Sequence, residues 1–518
     1  MVRIADRGLP SQSLVAIQKE RVGTQMLSSS KARNPLDLNG SDFSALMKDV
    51  VRLLAEFLDH LPNAPFIQHA DRFALLRDPF MRPAPSESGR PLRELLEIIS
   101  RAADNDLNTA SGSALSAIPG SGLVSSAAAD LISGVLNRYT GLKVGAPAMV
   151  AMEADVLRWM ADLLGLPPTA AGILTSGGSM AVFSAIVCAR STKLPEDFRR
   201  GVIYATNQTH HALAKAVRLA GFPDDALQLV AVDSKLRMDV SALQAAIARD
   251  RDAGRTPFCI SANAGTTNTG TIDPLPELAQ IANDEGLWYH VDAAYGGFFQ
   301  LTKRGRERLT GIEHADSVVL DPHKGLFVPF GTGCLLVRRE EVLRHSHSGG
   351  DAPYLHNIHE LGGDDVHLPD FSDLSPELTR PNRGLRLWLP LQLHGVAAFR
   401  GALDHKLDLA QQVYDTLIEM PQLRVLEEPD LSVIAFHCRI PEGTQAEEDH
   451  ATKEMVSYVN ASRRVYLSTT IIQGRLIARI AILNLRTTAE IIEEVVDAIR
   501  TFVLQRAVPE IESRVNHD

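Results

Sequence analysis

Short apolar runs alternate with amphipathic segments through the middle of this sequence, and this alternation constrains the fold more than any other feature. The runs are GILTSG, GVIYAT, LQLVAV, FCISAN, WYHVDAAY, SVVLDP and GCLLVR, punctuated by Gly, Asp or Pro. Segments with helical periodicity, such as HHALAKAVRLAGF and VSALQAAIARD, lie between them. Because the runs are apolar throughout, they indicate strands buried on both faces. The alternation therefore predicts an α/β fold around a largely parallel sheet.

The flanking regions predict further units. Residues 1–34 are rich in Ser, Lys, Arg and Gln, which predicts a flexible leader. Residues 35–105 predict an N-terminal helical segment, with Asp42 as a possible N-cap. Residues 106–395 form the predicted large domain. Residues 396–518 predict a small C-terminal α+β domain from the segments VIAFHCRI, RVYLSTT, LIARIAIL and AEIIEEVVDAIRTFVLQ.

One long region of the predicted large domain lacks periodicity. Residues 346–383 are rich in His, Gly, Asp and Pro and precede the long helical stretch that follows Trp388. A loop of this length in a compact protein is usually functional. We therefore expect an active-site flap here.

Charge and cysteine content disfavour several classes of function. The 518 residues carry a net charge of −11, which argues against nucleic-acid binding, since that requires a concentrated basic surface. Cys188, Cys259, Cys334 and Cys438 lie far apart without a CxxC pair, so neither a zinc site nor a disulfide framework is indicated. Because no secretory signal or long apolar segment is evident, we expect a cytoplasmic protein without membrane association.

The run SVVL leads into Asp321-Pro322-His323-Lys324 and then into a turn rich in Gly and Pro. A lysine near a strand end beside apolar walls can lose its proton, because desolvation lowers the pKa of an amine. A neutral amine forms a Schiff base with an aldehyde cofactor. The alternative is a surface lysine that reaches solvent from a turn.

Asp292 stands at the end of the run WYHVD and precedes small residues, among them Ala294, that allow a flat ring to approach closely. A buried carboxylate needs a partner, and a protonated pyridine nitrogen supplies one. The alternative is an aspartate that caps a turn after a strand.

The segment GILTSGGSMAVFSAIVCAR runs from a strand through Gly177, Gly178 and Ser179 into a helix. Backbone N–H groups and the helix dipole favour an anion such as phosphate at this position. The segment contains neither GxxxxGK[ST] nor GxGxxG, which disfavours the common nucleotide-binding loops. A glycine-rich turn without a ligand is the alternative.

His210 and His211 begin a helix after the run GVIYAT, where an imidazole can stack on a planar cofactor. Paired histidines also suggest a metal, but no HExxH or similar set accompanies them, so no metal site is predicted. Capping of the helix start is the main competing interpretation. Thr266 and Thr267 add hydroxyl donors before the aspartate run, although threonine-rich turns are commonly only turns.

These features occur in the order glycine loop, histidine, aspartate and lysine, each after a strand-like run, with Lys324 following Asp292 by 32 positions. With HVDAAY followed by DPHK, residues 40–510 resemble the group II decarboxylases that depend on pyridoxal 5′-phosphate (PLP). That family includes aromatic-amino-acid, histidine, glutamate and cysteine-sulfinate decarboxylases. The resemblance implies an aspartate-aminotransferase-like type I fold with a mixed, mostly parallel sheet, and an obligate homodimer with active sites at the interface.

The resemblance also implies a role for each residue. Lys324 would carry PLP as a Schiff base, Asp292 would pair with the pyridinium nitrogen, and His210 would stack on the ring and assist proton transfer. The implied cofactor-binding residues are Gly177, Gly178, Ser179, His210, Thr267, Asp292, Ala294, Asp321, His323 and Lys324. The implied reaction converts an L-amino acid to its amine and CO2.

Two departures from the family pattern bear on the reaction. Alignment without gaps places Phe371 where many relatives carry a proton-donating loop tyrosine, and phenylalanine cannot donate a proton. In relatives, Phe at this position accompanies aldehyde synthases, so oxidative deamination to an aldehyde is an alternative. An alignment shifted by one residue, or protonation by His210 or Tyr354, would preserve the decarboxylase interpretation. Residues 110–113 replace a His-Pro-aromatic element on the substrate side, so an aromatic substrate cannot simply be carried over.

A third interpretation is a protein of the same fold that performs another lyase or transaminase reaction, or that has little activity.

Overall fold

The larger of two β-sheets contains all seven apolar runs that the sequence predicts as strands. The computed structural model describes residues 34–515 except 35, 70, 79–80, 82–83, 86, 119–120 and 351–367. The strands of the large sheet are β1 Ala171–Thr175, β2 Gly201–Thr206, β3 Leu227–Val230, β4 Thr256–Asn263, β5 Trp288–Asp292, β6 Ser317–Leu320 and β7 Gly333–Val337. Their order across the sheet is β1-β7-β6-β5-β4-β2-β3.

Strand direction in this sheet is mixed but mostly parallel, as predicted. Strands β3, β2, β4, β5 and β6 run parallel, whereas β7 is antiparallel to both of its neighbours, β6 and β1. Every residue of β2, β6 and β7 is buried. Burial on both faces explains why these strands read as continuous apolar runs rather than as alternating patterns.

The chain divides into a unit of residues 1–54 and a unit of residues 55–518. Helix α1, Gly40–His60, begins in the first unit. The backbone N–H groups of Ser41 and Asp42 donate to Asn39 Oδ1 over 2.8 and 3.0 Å. The prediction of Asp42 as N-cap is therefore wrong, because Asn39 provides the cap and Asp42 lies within the first turn.

The helices that follow in the second unit include those predicted from HHALAKAVRLAGF and VSALQAAIARD. Up to the end of the large sheet they are α2 Leu92–Asn105, α3 Val124–Leu136, α4 Pro147–Leu163, α5 Gly178–Lys193, α6 Ala212–Leu219, α7 Val240–Asp252, α8 Leu275–Asp284, α9 Lys303–Arg308, α10 Pro322–Gly325 and α11 Glu340–His347. Short 3₁₀ turns cover Leu61–Asn63, Ala74–Arg77, Asp224–Ala226, Gly297–Leu301 and Ile312–His314. Helix α5 packs against β1, β4, β5, β6 and β7, so its N-terminus is held at one end of the sheet.

The C-terminal part has a second, antiparallel sheet of order β10-β11-β9-β8. Its strands are β8 Leu423–Val425, β9 Val433–Cys438, β10 Ser468–Ile472 and β11 Arg475–Ala481. The sequence did not predict β8, since three residues carry no periodicity, and RVYLSTT joins a strand only from Ser468 onward. The remaining helices are α12 Phe371–Leu374, α13 Gly384–Ile418, α14 Gln445–Ala461 and α15 Ala489–Val515. The small α+β unit is therefore present.

Helix α13 is broken at Gly395, which adopts φ +72° and ψ 155°. This left-handed region is open to glycine and strained for other residues. The predicted boundary between residues 395 and 396 coincides with this break and remains a prediction. Farther along the helix, the buried Lys406 donates to the carbonyl oxygens of Leu485 and Thr487 over 3.3 and 2.7 Å, which ties α13 to the segment after β11.

Parts of the sequence predictions lie outside the described residues. These parts are nearly all of the predicted leader, residues 351–367 of the predicted flap, and Tyr354. Within the described residues, no helix combines the length and apolar character that crossing a membrane requires.

A buried ion pair anchors the chain after the predicted flap. Arg380 Nη2 lies 2.5 Å from Glu153 Oε1 of α4, and both side chains are almost completely buried. The other Glu153 oxygen accepts from the N–H of Gly384 over 3.2 Å. Arg380 Nε and Nη1 have no hydrogen-bond partner among the described residues. Glu153 is thus the only ion-pair partner of this buried cation in the described part of the chain.

Replacing Glu153 by Gln should destabilise the protein strongly, because it leaves the Arg380 cation buried without a counter-charge. Breaking a buried pair in this way costs about 3–5 kcal/mol. The measurement is the free energy of unfolding of the cofactor-free protein in denaturant, at one protein concentration. The exposed Glu307→Gln is the matched control and should change this free energy by less than about 0.5 kcal/mol. Equal effects of the two substitutions would contradict the anchor role.

Candidate active site

Lys324 lies in the one-turn helix α10, Pro322–Gly325, which follows β6 and is called the lysine turn below. Its Nζ is 2.8 Å from Asp321 Oδ2, and the Asp321 side chain is only 3% exposed. The turn is closed by the N–H of Lys324, which donates to Asp321 O over 2.8 Å, and by that of Phe327, which donates to Lys324 O. Phe327 is buried with φ +59°, a strained conformation for a bulky residue. The sequence predicted only apolar surroundings for the lysine, whereas the structure also places the Asp321 carboxylate beside its amine.

Asp292 ends the neighbouring strand, β5. Parallel register aligns it with Asn263 of β4 and Val319 of β6. Its Oδ1 accepts from the N–H of Ala294 over 3.1 Å, and its Oδ2 has no hydrogen-bond or ion-pair partner among the described residues. Ala293 and Ala294 are buried and small. The strand end therefore presents a carboxylate oxygen that lacks a donor.

The glycine loop lies between β1 and α5. Gly177 has φ +153°, and a Cβ on Gly178 would lie 2.7 Å from Asp321 Oδ2. A Cβ on Gly333 would lie 2.4 Å from the Gly177 carbonyl carbon. Glycine at 178 therefore lets the loop pack against Asp321, and glycine at 333 lets β7 pack against the backbone of Gly177. The N–H groups of Gly178 and Ser179 lie in the first turn of α5, where no carbonyl of the helix can accept from them.

His210 follows β2 and precedes α6. Its Nδ1 accepts from the N–H of Ala212 over 3.2 Å, so the neutral ring carries its proton on Nε2. Burial lowers the pKa of His210, and the charges of Asp292, His211, Lys324 and Asp321 act on it with opposing signs. The structure thus brings the histidine, aspartate and lysine sites within electrostatic range of one another. The neutral imidazole is favoured near pH 7.

His323 and Thr267 are held by main-chain contacts. His323 Nδ1 lies 2.6 Å from Thr332 O, and its Nε2 lies 3.8 Å from Asp321 Oδ2. Thr267 O accepts from Arg479 Nη2 of the C-terminal sheet. Thr266 Oγ1 contacts Thr269 Oγ1 at 2.9 Å, so its hydroxyl belongs to a buried network within the turn.

Phe371 has different surroundings. It begins α12, is 1% exposed, and lies beneath the guanidinium of Arg380, whose Cζ is 4.7 Å from the ring centroid. The N–H of Ser372 donates to Gly141 O over 3.0 Å, which holds this helix start in place. None of the polar or ring contacts in the described residues joins Phe371 to Lys324.

Sequence reasoning missed several residues around the site. Asp273 is 3% exposed and accepts from the N–H of Met238 and from both the N–H and the Nδ2 of Asn263, over 2.7, 2.7 and 2.8 Å. Asn263 Nδ2 also reaches Thr209 Oγ1 at 3.2 Å. Asn263 is the last residue of the run FCISAN, so it could have been predicted as a polar residue at a strand end. Arg479 gave no signal, because it lies far along the chain from Thr267.

This arrangement defines a class of protein: an α/β enzyme with a lysine, a carboxylate and a glycine-rich anion cradle at one end of a mostly parallel sheet. Comparison with known proteins agrees. The family described as "Pyridoxal-dependent decarboxylase conserved domain" matches residues 90–439. An aromatic-L-amino-acid decarboxylase of Bacillus atrophaeus is 32% identical over 458 residues, which cover 88% of this chain and 94% of the relative.

Two further comparisons give the breadth of the likeness. A phenylacetaldehyde synthase of Arabidopsis thaliana is 29% identical over 65% of this chain and 71% of the relative. The crystal structure of Oryza sativa TDC with PLP and tryptamine superposes with a TM-score of 0.85 at 25% identity, covering 92% of this chain and 99% of that chain. The chain belongs to the pyridoxal-dependent decarboxylase family. It has the type I fold of PLP enzymes, and its cofactor is PLP.

The described residues fit this cofactor. The Gly177–Ser179 turn forms a cradle for a phosphate, with the N–H groups of Gly178 and Ser179 as donors. The N–H of Gly177 donates to Thr175 Oγ1 over 3.4 Å. Asp292 Oδ2 lacks a donor, and a protonated ring nitrogen would supply one. Asp321 Oδ1 is buried and has no hydrogen-bond donor among the described residues, so a bound group could supply that donor. Lys324 supplies the amine.

One buried histidine of this site should affect stability. His290 is two positions before Asp292 in β5, so both side chains lie on the same face of the strand. His290 is 1% exposed, and its Nδ1 lies 2.8 Å from Ser317 Oγ. Its Nε2 has no partner among the described residues. Burial lowers the pKa of His290 to about 4 from the ordinary 6.5.

The free energy of unfolding should therefore fall as the pH decreases from 6.5 towards 4. Between these pH values His290 binds a proton in the unfolded state but stays neutral in the folded state. The stabilisation from neutral His290 is therefore complete above pH 6.5 and is lost as the pH falls to about 4, a difference of roughly 3 kcal/mol. Denaturant unfolding at several pH values checks this, and His290→Phe should show a shallower pH slope than wild type. The exposed Leu219→Phe removes no ionisable group and should keep the wild-type slope. Parallel curves for wild type and His290→Phe would contradict the prediction.

Proposed function

We propose that this protein converts an L-amino acid to the corresponding amine and CO2, with PLP held covalently by Lys324. The observation that carries the proposal is the adjacency of Asp292 and the Lys324 turn, which follow neighbouring parallel strands beside the Gly177–Ser179 cradle. A pyridine nitrogen, an aldehyde and a phosphate require these three kinds of partner.

The charges of the site support a division of roles. PLP supplies an electron-withdrawing ring that stabilises the carbanion left by loss of CO2. Asp292 would keep the ring nitrogen protonated, because its free Oδ2 can accept that hydrogen bond. Asp321, 2.8 Å from Lys324 Nζ, would hold the lysine whenever its amine is free. His323 would contribute beside the phosphate, together with Gly177, Gly178 and Ser179.

His210 is proposed to lie over the ring and to handle a proton. Its Nδ1 is occupied by the N–H of Ala212, so the neutral ring offers Nε2–H as a donor. Burial lowers the pKa of His210, which keeps it neutral around pH 7. Thr267 and Ala294 would line the cofactor, since each lies beside a strand end that carries a site residue.

The alternative function is oxidative deamination to an aldehyde. Two observations favour it: Phe371 occupies the position of the family's loop tyrosine in an ungapped alignment, and a phenylacetaldehyde synthase is among the relatives. The burial of Phe371 beneath Arg380 favours the first function instead, because a packed side chain there serves as an anchor for α12. Residues 361–367 before it lie outside the described residues.

Product analysis decides between these functions. Purified wild-type protein, reconstituted with PLP, should absorb between about 330 and 430 nm, and an amino-acid panel should yield one amine with equimolar CO2. Lys324→Ala should abolish amine formation and the absorbance of the protein-bound Schiff base, whereas the exposed Lys303→Ala should leave both unchanged. Phe371→Tyr should not alter the product, since the position is buried.

Other outcomes have defined meanings. Aldehyde, ammonia and peroxide in equal amounts from wild type, with a switch to amine in Phe371→Tyr, would establish the aldehyde synthase. A keto acid would indicate a transaminase. A protein that takes up no PLP, or one that takes it up and turns over no amino acid, would overturn the proposed function.

We further propose a homodimer whose interface includes α3. This helix exposes large apolar side chains, which are Val124, Leu131, Ile132, Val135 and Leu136. A patch of this kind is typical of a surface covered by another chain. Just before the helix, the N–H of Leu123 donates to Phe327 O over 2.8 Å, which links the start of α3 to the segment after Lys324. A second copy covering α3 would therefore complete the surroundings of the active site.

Charge on this patch should dissociate the dimer. Val135, which is 60% exposed, is replaced by Glu. Burying that carboxylate against an apolar partner is unfavourable, so the mass measured by light scattering should fall from dimer to monomer. The equally exposed Leu219 on α6 is the control, and Leu219→Glu should remain dimeric. A monomeric wild type, or a dimeric Val135→Glu, would contradict the interface.

A cytoplasmic location is also proposed. All four cysteines are free and buried. Reduced cysteines are typical of proteins from reducing compartments.

A further inference from the structure

Arg479 in β11 connects the C-terminal sheet with the turn that contains Thr267. Its Nε donates to Asn268 O over 2.8 Å, its Nη1 donates to Ser468 Oγ over 3.1 Å, and its Nη2 donates to Thr267 O. The residue is 7% exposed. Among the described residues, no carboxylate lies within ion-pair distance of it. A buried cation solvated by two carbonyl oxygens of one turn fixes that turn firmly.

The side chain of Asn268 carries this constraint onward. Its Oδ1 accepts from Thr470 Oγ1 over 3.0 Å, and its Nδ2 donates to Gln208 Oε1 over 3.2 Å. Gln208 is 4% exposed and its N–H donates to Thr206 Oγ1 over 3.2 Å. It precedes His210 by two residues. The C-terminal sheet therefore reaches the histidine segment through one turn and one amide.

The histidine segment is also held from the side of the large sheet. Thr209 Oγ1 accepts from the N–H of Thr206 and from Asn263 Nδ2, both over 3.2 Å. Asn263 is in turn fixed by the buried Asp273. Residues 206–210 thus lie between two sets of hydrogen bonds. If the contact to Asn268 is lost, the segment keeps the contact to Asn263 and the local hydrogen bond between Ala212 and His210.

We propose that Arg479 is a positioning residue for the cofactor site: it holds the Thr267–Asn268 turn so that Asn268 fixes Gln208 and, through it, the imidazole of His210. The inference rests on the proposed function, because it assigns His210 to the cofactor. Arg479 itself touches the turn and Ser468, so it acts only through the groups that it holds.

A purely structural role predicts a different result from a positioning role. If Arg479 only joins the two sheets, its loss lowers the stability of the cofactor-free protein and affects the cofactor no more than any other destabilising change. If it positions His210, its loss weakens PLP binding beyond what stability explains. Release of His210 towards solvent also raises its pKa towards the ordinary value, because burial is what lowers it.

The experiment compares full-length wild type, Arg479→Met and Gln208→Met. Methionine keeps an apolar side chain of similar length. It removes the donors of Arg479, or the Oε1 acceptor of Gln208 together with its Nε2 donor to Asn207. Cofactor-free protein is titrated with PLP, followed by the absorbance of the bound cofactor, and the spectrum of the loaded protein is then recorded across the acidic pH range. The free energy of unfolding of each cofactor-free variant is measured in parallel.

The control is Arg475→Met, on the same strand. Arg475 pairs with Glu448 and His437 within the C-terminal unit. We expect Arg479→Met and Gln208→Met to weaken PLP binding about tenfold or more and to move the acid-side midpoint of the spectrum to higher pH. Arg475→Met should leave both quantities at wild-type values, whatever its stability.

Three results would overturn the inference. Arg479→Met could bind PLP within about twofold of wild type with an unchanged midpoint, which would leave only the structural role. Gln208→Met could behave as wild type, which would exclude transmission through Asn268. Failure of wild type to form the chromophore at all would instead overturn the proposed function, and the inference with it. If Arg479→Met is too unstable to purify, Gln208→Met still tests the inference, because it leaves the hydrogen bonds of Arg479 intact.

Discussion

Parallel pairing of β4, β5 and β6 is the constraint on which the site depends. The register sets Asn263 beside Asp292 at one edge of the sheet, and the turn after β6 brings Lys324 to the same edge. Because parallel strands all end in the same direction, every polar residue that follows a strand collects there. Strand β7 lies between β6 and β1 and is antiparallel to both, so Gly333 at its start packs against the backbone of Gly177 at the same end of the sheet. One geometric rule thus assembles groups from four distant segments.

Charge compensation explains why these polar groups can be buried. Lys324 has Asp321, Arg380 has Glu153, and Arg479 has the carbonyl oxygens of a turn. Burial of a charge is unfavourable without such partners. One of the exceptions lies at the candidate site, where Asp321 Oδ1 is buried and has no donor within the described residues. A protonated ligand could donate a hydrogen bond to an acceptor of this kind. Such an acceptor locates the site, whereas amino-acid composition does not.

Much of the fold could be predicted from local pattern. All seven apolar runs became strands of one sheet, because burial on both faces leaves a continuous apolar signature. Asp42 was wrongly predicted to be the N-cap, because Asn39 caps the helix instead. Asn and Asp are equally good capping residues, since both accept from the first N–H groups of a helix, and only the backbone shows which of them precedes it. Strand β8 was missed because three residues carry no period. Phe371 was expected in a flap and is a packed residue beneath Arg380.

The sequence by itself determined the order of strands and helices, the family, and the identity of Lys324, Asp292 and the glycine loop as candidates. Those features are local, since a strand end, a small-residue run or a Gly-Gly pair can be read within ten residues. Tertiary structure alone decided that Arg479, more than 200 positions beyond Thr267, would hold its carbonyl. Long-range contacts of this kind depend on how two sheets pack, and no local pattern records that packing.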